Sequence, residues 1–288
     1  MHPAPYVIVF TVLSGLGFGF LAFLSAGVLP VQGWGAFALW GLGVALTVAG
    51  LVASTFHLGH SERALLAFTQ WRTSWLSREA CLSVFTLVWL VPVGLSHWLG
   101  FGWPALWGWI GAALCLATVL CTAMIYAQLK TVPRWNLWTA PATFLAFALA
   151  GGALLAGYWQ GLPLLAALML AAWHLGDRAF AARGQDMGTA TGLAPLGKVR
   201  VLEQPHSHPN YVMREMIHLV GRKHAQKLRV IAFTLAALVP LALMLALPAH
   251  PATLVAATLA HVAGALAQRW LFFAEAEHVV GLYSGART

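Results

Sequence analysis

The stretch YVIVFTVLSGLGFGFLAFLSAGVL, from Tyr6 to Leu29, contains no charged side chain. A helix crossing ~30 Å of hydrocarbon needs ~20 predominantly apolar residues, so this run is long enough to span a membrane alone. Seven further stretches read the same way: Trp34–His57, Ser77–Leu99, Trp103–Gln128, Ala140–Trp159, Leu162–Ala182, Val230–Leu247 and Ala252–Ala276. In lipid only helices and closed barrels satisfy the backbone hydrogen bonds. The ~10-residue alternating strands of a barrel are absent. The sequence therefore predicts an all-α integral membrane protein with eight transmembrane helices.

Composition agrees. Only 8% of the 288 residues are charged and 60% are apolar, against ~25% charged in a soluble domain. With a mean hydropathy of +0.77, a soluble globule would expose large apolar patches, and disorder is excluded for the same reason. The three cysteines, Cys81, Cys115 and Cys121, lie in apolar runs without CxxC or Cys/His zinc spacing, so neither a disulfide framework nor an iron–sulfur site is expected. The amino terminus carries no Lys or Arg ahead of a run too long for a signal-peptide core, and reads as the first span.

Charge then orients the spans. The turns near Pro30–Gly33, Gly100–Gly102, Gln160–Gly161 and Pro248–Pro251 hold no charged residue. The alternate connections hold Arg63, Arg72 and Arg78, then Lys130 and Arg134, then the basic residues from Arg178 to Arg229. The positive-inside rule makes that face, with both termini, cytoplasmic. The net charge of +8 is concentrated there and suits either anionic lipid or a cytoplasmic partner. It does not form one aromatic-laced groove, so nucleic-acid binding is not expected. A loop at about 183–228 is broken by glycines and prolines, with an amphipathic helix expected near Tyr211–His224.

A repeat divides the chain. Phe56-His57-Leu58-Gly59-His60-Ser61-Glu62-Arg63-Ala64 closes the second span, and Trp173-His174-Leu175-Gly176-Asp177-Arg178-Ala179 closes the sixth. Tyr126-Ala127-Gln128 and Phe273-Ala274-Glu275 give a fainter echo. The reading is two tandem four-helix bundles, residues 1–138 and 139–288.

Chemistry-bearing residues gather at the cytoplasmic lip. His57 is either a helix-end histidine favoured by the macrodipole or a proton donor to a ligand at the membrane edge. Glu79, at the start of the third span, is either a dipole-stabilised anion or a proton relay beside His57. Arg78 either holds Glu79 ionised or binds an anionic head group. Trp71 and Trp75 belong to the interfacial aromatic belt or stack on a ring-shaped ligand. Asp177 with Arg178 reads as an ion pair, and Glu275 is expected to pair with another span rather than with Arg269. Haem needs two histidines facing each other from separate helices. His57 and His174 lie at one edge, His97 at the other and His261 alone inside, so haem is not expected. His206-Ser207-His208 lacks an acidic or thiol companion and reads as loop, and no metal site is expected.

The motifs His57-Leu-Gly-His-Ser-Glu-Arg-Ala64, Trp75-Leu-Ser-Arg-Glu79 and Arg269-Trp-Leu-Phe-Phe-Ala-Glu-Ala-Glu-His278 resemble the membrane anchor family of dimethyl sulfoxide reductase. The resemblance extends over essentially the whole chain. It implies a haem-free, quinone-handling anchor in the bacterial inner membrane, partnered by a four-cluster iron–sulfur subunit and a molybdopterin catalytic subunit. The clusters and the molybdopterin would belong to those partners. The family's quinone-site histidine and glutamate match His57 and Glu79, with Arg63, Trp71, Trp75 and Arg78 as further quinone-binding candidates. The dimethyl sulfoxide reductase anchor is thought to present this face to the periplasm. The arginine-bearing connections here favour the related branch with cytoplasmic catalytic subunits, the sulfite:quinone oxidoreductases. Rival expectations are a quinol-oxidising anchor of an S-oxide or N-oxide reductase, and a secondary transporter suggested by the repeat but lacking broken spans with midplane charges.

Overall fold

A computed structural model describes residues 3–56, 60–184, 186–200, 202–203, 224–248 and 250–284. Among these the chain is helical, with no strand. The long helices are α1 (Pro5–Ser25), α2 (Gly33–Thr55), α3 (Trp75–Leu99), α4 (Ala105–Ala127), α5 (Thr139–Leu155), α6 (Gly161–Ala182), α7 (Ala225–Ala246) and α8 (Pro251–Ala274). Seven are long and apolar enough to cross a membrane, and α5, at 17 residues, is shorter. At 1.5 Å per residue, 17 residues rise ~25 Å. A helix enclosed by protein need not match the lipid, and α5 is enclosed by α1, α4, α6 and α8.

Small residues set the packing, as expected where lipid gives no hydrophobic drive between helices. A Cβ on Gly19 of α1 would lie 1.9 Å from the Ala148 carbonyl oxygen of α5, and one on Gly152 would lie 2.3 Å from the Gly19 backbone. The two backbones touch because neither glycine has a side chain. Phe18, Phe20, Leu21 and Leu24 of α1 are buried around this contact. α1 also packs on α2 and α4, while α8 packs on α5 and α7.

At the far end of α3 and α4, Trp89 and Trp107 stack with centroids 3.7 Å apart and planes 6° apart. Each indole N–H donates to the other residue's carbonyl at 3.1 Å. Gly100, at φ 78°, closes α3 in the left-handed conformation that a glycine adopts freely.

α7 contains a π stretch, Thr234–Leu238, just before Pro240. Proline has no N–H, and its ring crowds the carbonyl four residues back, that of Ala236. The helix widens there, and the Ala236 oxygen accepts instead from His261 Nδ1 of α8 at 2.8 Å.

The α2–α3 connection carries a 3-10 helix, Ser61–Phe68, with Leu65 and Leu66 exposed. After α6, Asp186 and Thr189 form a capping box on a short helix, Met187–Thr191, and the Thr189 hydrogen bonds hold the Asp186 carboxyl below its usual range. Most of the expected Tyr211–His224 helix, with His206 and His208, lies outside the described residues.

The expected Asp177–Arg178 pair is replaced by another arrangement. Consecutive residues on a helix diverge, so Arg178 turns to His174 at 2.7 Å, one turn back. Asp177 instead takes Arg134 of the α4–α5 connection at 2.5 Å and Arg229 of α7 at 2.6 Å. Glu275 does pair away from Arg269. It accepts from Arg229 at 2.7 Å and from Arg134 at 3.3 Å. Two cations and two anions thus tie α6, α7 and the end of α8 to the α4–α5 connection.

Candidate functional site

Ser74 begins α3 by accepting the Ser77 N–H at 3.4 Å, and the Ser77 hydroxyl accepts the Gln70 N–H at 3.0 Å. This local knot fixes the first turn of α3 against the preceding loop. It also fixes which residues face inward. Glu79 is buried, at 5% exposure, while Leu76, a turn earlier, is exposed.

Arg78 does not pair with Glu79. Its Nε donates to the Trp71 carbonyl at 3.0 Å and its Nη2 to the Arg72 carbonyl at 2.7 Å. Its guanidinium stands 4.4 Å over the Trp75 ring, a cation–π contact. Arg78, Trp75 and the Trp71 backbone thus form one rigid corner beside the helix start, with the Trp71 ring half exposed. Arg63 is exposed on the 3-10 helix. His57, the other half of the sequence expectation, lies outside the described residues.

Glu79 Oε1 is buried without a hydrogen-bond partner. The side chain's hydrogen-bonding neighbour is the Thr122 hydroxyl of α4, which also lies 3.2 Å from the Thr118 carbonyl. Tyr126, one turn further along α4, is within electrostatic reach of both Glu79 and Arg269 of α8. An orphaned carboxyl oxygen in an apolar bundle is costly, and it is the kind of group that exchanges a proton with a ligand or a water.

Of the residues the sequence singles out, the fold brings Arg78, Trp71 and Trp75 together, while Glu79, next along α3, turns inward to Thr122. Sequence reasoning missed Thr122 and Tyr126. A hydroxyl in an apolar run carries no signal until the α3–α4 register is known. His278, just beyond α8, is partly buried, and burial lowers its proton affinity. Among the described residues, no group of three or more His, Cys, Asp or Glu side chains is placed to hold a metal ion.

The protein-family model described as DMSO reductase anchor subunit (DmsC) matches residues 1–174, which include the Glu79 corner. A sulfite dehydrogenase subunit of Allochromatium vinosum is 32% identical over an alignment of 321 positions, covering 98% of each chain. No solved structure matches the chain.

Proposed function

The chain belongs to the DMSO reductase anchor subunit family, and from that premise we propose that it is the quinone-binding anchor of a molybdenum and iron–sulfur oxidoreductase that passes electrons from cytoplasmic sulfite oxidation to the quinone pool. The single observation that carries the site is the buried, unpartnered Glu79 Oε1, whose residue follows Arg78 of the aromatic and basic corner along α3. The full-length similarity to a sulfite dehydrogenase subunit supports the electron donor.

The residues present suit a quinone. When bound, it takes up two electrons and two protons. Glu79 supplies a proton at its carboxyl oxygen, held at the lip by the Ser74–Ser77 cap. His57, which closes α2 in sequence, donates a hydrogen bond to a ring carbonyl. Trp71 and Trp75 offer faces for the ring, and Arg78, locked on the loop carbonyls, keeps the Trp75 face in place. Arg63 adds positive charge at the same lip. The chain itself binds, orients and protonates. The electrons come from a four-cluster iron–sulfur subunit served by a molybdopterin subunit, both docked on the cytoplasmic face.

In this reading all eight helices span the inner membrane as two four-helix units, residues 1–138 and 139–288, with both termini cytoplasmic. The two units would meet through the close α1–α5 contact. The family description itself favours a second reading, in which the same site oxidises quinol and the partner reduces an S-oxide.

The test is purified complex carrying Glu79→Gln or His57→Ala. Each is expected to lose quinone reduction by about a hundredfold while the partner subunits still oxidise sulfite with an artificial acceptor. Wild-type quinone reduction in both variants would contradict the assignment.

A further inference from the structure

The second copy of the repeated motif, Trp173-His174-Leu175-Gly176-Asp177-Arg178, lies near the end of α6, and the quinone site uses none of it. Asp177 turns to Arg134 of the α4–α5 connection and to Arg229 near the start of α7. This level of α6 is therefore the lip of the bundle. The same two arginines also meet Glu275, and the quartet is neutral. Arg178 stands outside it. It is exposed and has no carboxylate partner among the described residues.

Arg178 reaches back one turn, with Nη1 2.7 Å from His174 Nε2. A guanidinium has donors and no acceptor, so Nε2 accepts. In the neutral ring the hydrogen then sits on Nδ1. The pair thus offers the remaining N–H groups of Arg178, the Nδ1–H of His174 and one fixed positive charge, on two exposed side chains. A phosphate group matches that set of donors and that charge. Toward the membrane interior the same face of α6 is apolar. α6 packs on α5 and on the π stretch of α7, burying Leu162, Leu165 and Met169. Leu164, Ala167 and Leu170 are exposed. Their spacing of three residues, continued by fours, runs on into His174 and Arg178 along one helix face. The ten residues from Leu164 to His174 rise ~15 Å, half of the ~30 Å hydrocarbon. The stripe is as long as one acyl chain in its own leaflet.

We propose that this face of α6 binds an anionic phospholipid from the leaflet at that lip. Arg178 and His174 hold its phosphate, and one acyl chain lies along Leu170, Ala167 and Leu164. Basic side chains at the ends of membrane helices recognise anionic head groups in this way. The apolar stripe favours a lipid over free phosphate, and the positive charge favours an anionic head group over a zwitterionic one. Asp177, the neighbouring carboxylate, is already engaged by two guanidinium groups, so its charge is answered before a phosphate arrives. A quinone brings no negative charge to Arg178, and the second copy of the motif therefore serves a different ligand from the first. The inference stands apart from the reading of Glu79.

The test places the purified complex of the chain with its partner subunits in phosphatidylcholine nanodiscs. A trace of phosphatidylglycerol with a diazirine in its acyl chain is added and illuminated. Proteolysis and mass spectrometry are expected to find the label enriched on Gly161–Ala182. Unlabelled phosphatidylglycerol should compete it away, whereas inorganic phosphate and a short-chain quinone should not. Arg178→Gln and His174→Leu should each weaken the labelling roughly tenfold. Lys130→Gln, which removes an exposed charge from the α4–α5 connection, should leave it unchanged. Arg178 and His174 lie outside the quartet, and a variant that fails to assemble leaves the other decisive. Label spread evenly over the helices, or unchanged in an assembled variant, overturns the proposal. An equal loss in Lys130→Gln also overturns it, because the attraction would then belong to the whole face. Competition by inorganic phosphate overturns the lipid as occupant. Competition by quinone overturns it in favour of a second quinone site.

Discussion

Asp177 receives two hydrogen bonds from the Arg229 guanidinium, at 2.6 and 2.7 Å, across the gap between α6 and α7. The same guanidinium reaches Glu275 at 2.7 Å, so one arginine joins three segments. Its side chain is 13% exposed and that of Glu275 only 5%. Replacing Arg229 by Leu leaves Glu275 buried with only the longer Arg134 contact. Breaking a buried pair costs about 3–5 kcal/mol, and the half-exposed Asp177 places this case near the lower end. Arg229→Leu should lower the Tm of the detergent-purified protein. Asp177→Asn, whose carboxylate is 47% exposed, should cost less. Equal stability of Arg229→Leu and wild type would show that the quartet is ornamental.

The α1–α5 contact makes a sharper contrast. Gly19→Ala drives a methyl into the Ala148 carbonyl, and overpacking of this kind costs about 1–3 kcal/mol or more. Gly15→Ala, four residues earlier on the same helix, meets nothing within 4 Å. It should be neutral or gain up to about 1 kcal/mol of helix propensity. Unfolding of the two variants side by side checks the difference, and similar stabilities would contradict the backbone contact.

Trp89 and Trp107 exchange hydrogen bonds as well as stacking. Trp107→Phe should cost about 1–2 kcal/mol, from one lost hydrogen bond and a weaker stack. Because each ring supports the other, the double replacement should cost clearly less than the sum of the singles. Additive costs in a double-mutant cycle would deny the coupling.

The orientation is tested by single cysteines on a background without Cys81, Cys115 and Cys121. A cysteine at Arg63 should react with a membrane-impermeant thiol reagent only after the cytoplasmic side is opened. One at Phe101 should react from outside. The reverse pattern would turn the molecule over and favour the S-oxide reductase reading.

Most of the architecture was legible because lipid imposes one rule on every span, a long and predominantly apolar run. Helix ends fell within a few residues of expectation, as with Trp75 for Ser77 and Thr55 for His57. The length of α5 was not legible, since enclosure by other helices depends on packing. The partners of Asp177 were not legible, because neighbouring side chains on a helix diverge and Arg134 and Arg229 come from other segments. Glu79 was legible as an acid beside the start of a span, whereas its neighbour Thr122 depended on how α3 and α4 meet. The π stretch before Pro240 left a trace in the sequence, a proline inside an apolar run, but its partner His261 comes from another helix.

Photolabelling of the assembled complex with an azidoquinone asks whether the carrier sits at the Glu79 corner. Proteolysis and mass spectrometry should place the label on the segment from Trp71 to Glu79, with unlabelled quinone competing it away and Glu79→Gln weakening it. Label confined to helices away from the lip of α2 and α3, or not displaced by quinone, would remove the site from this corner.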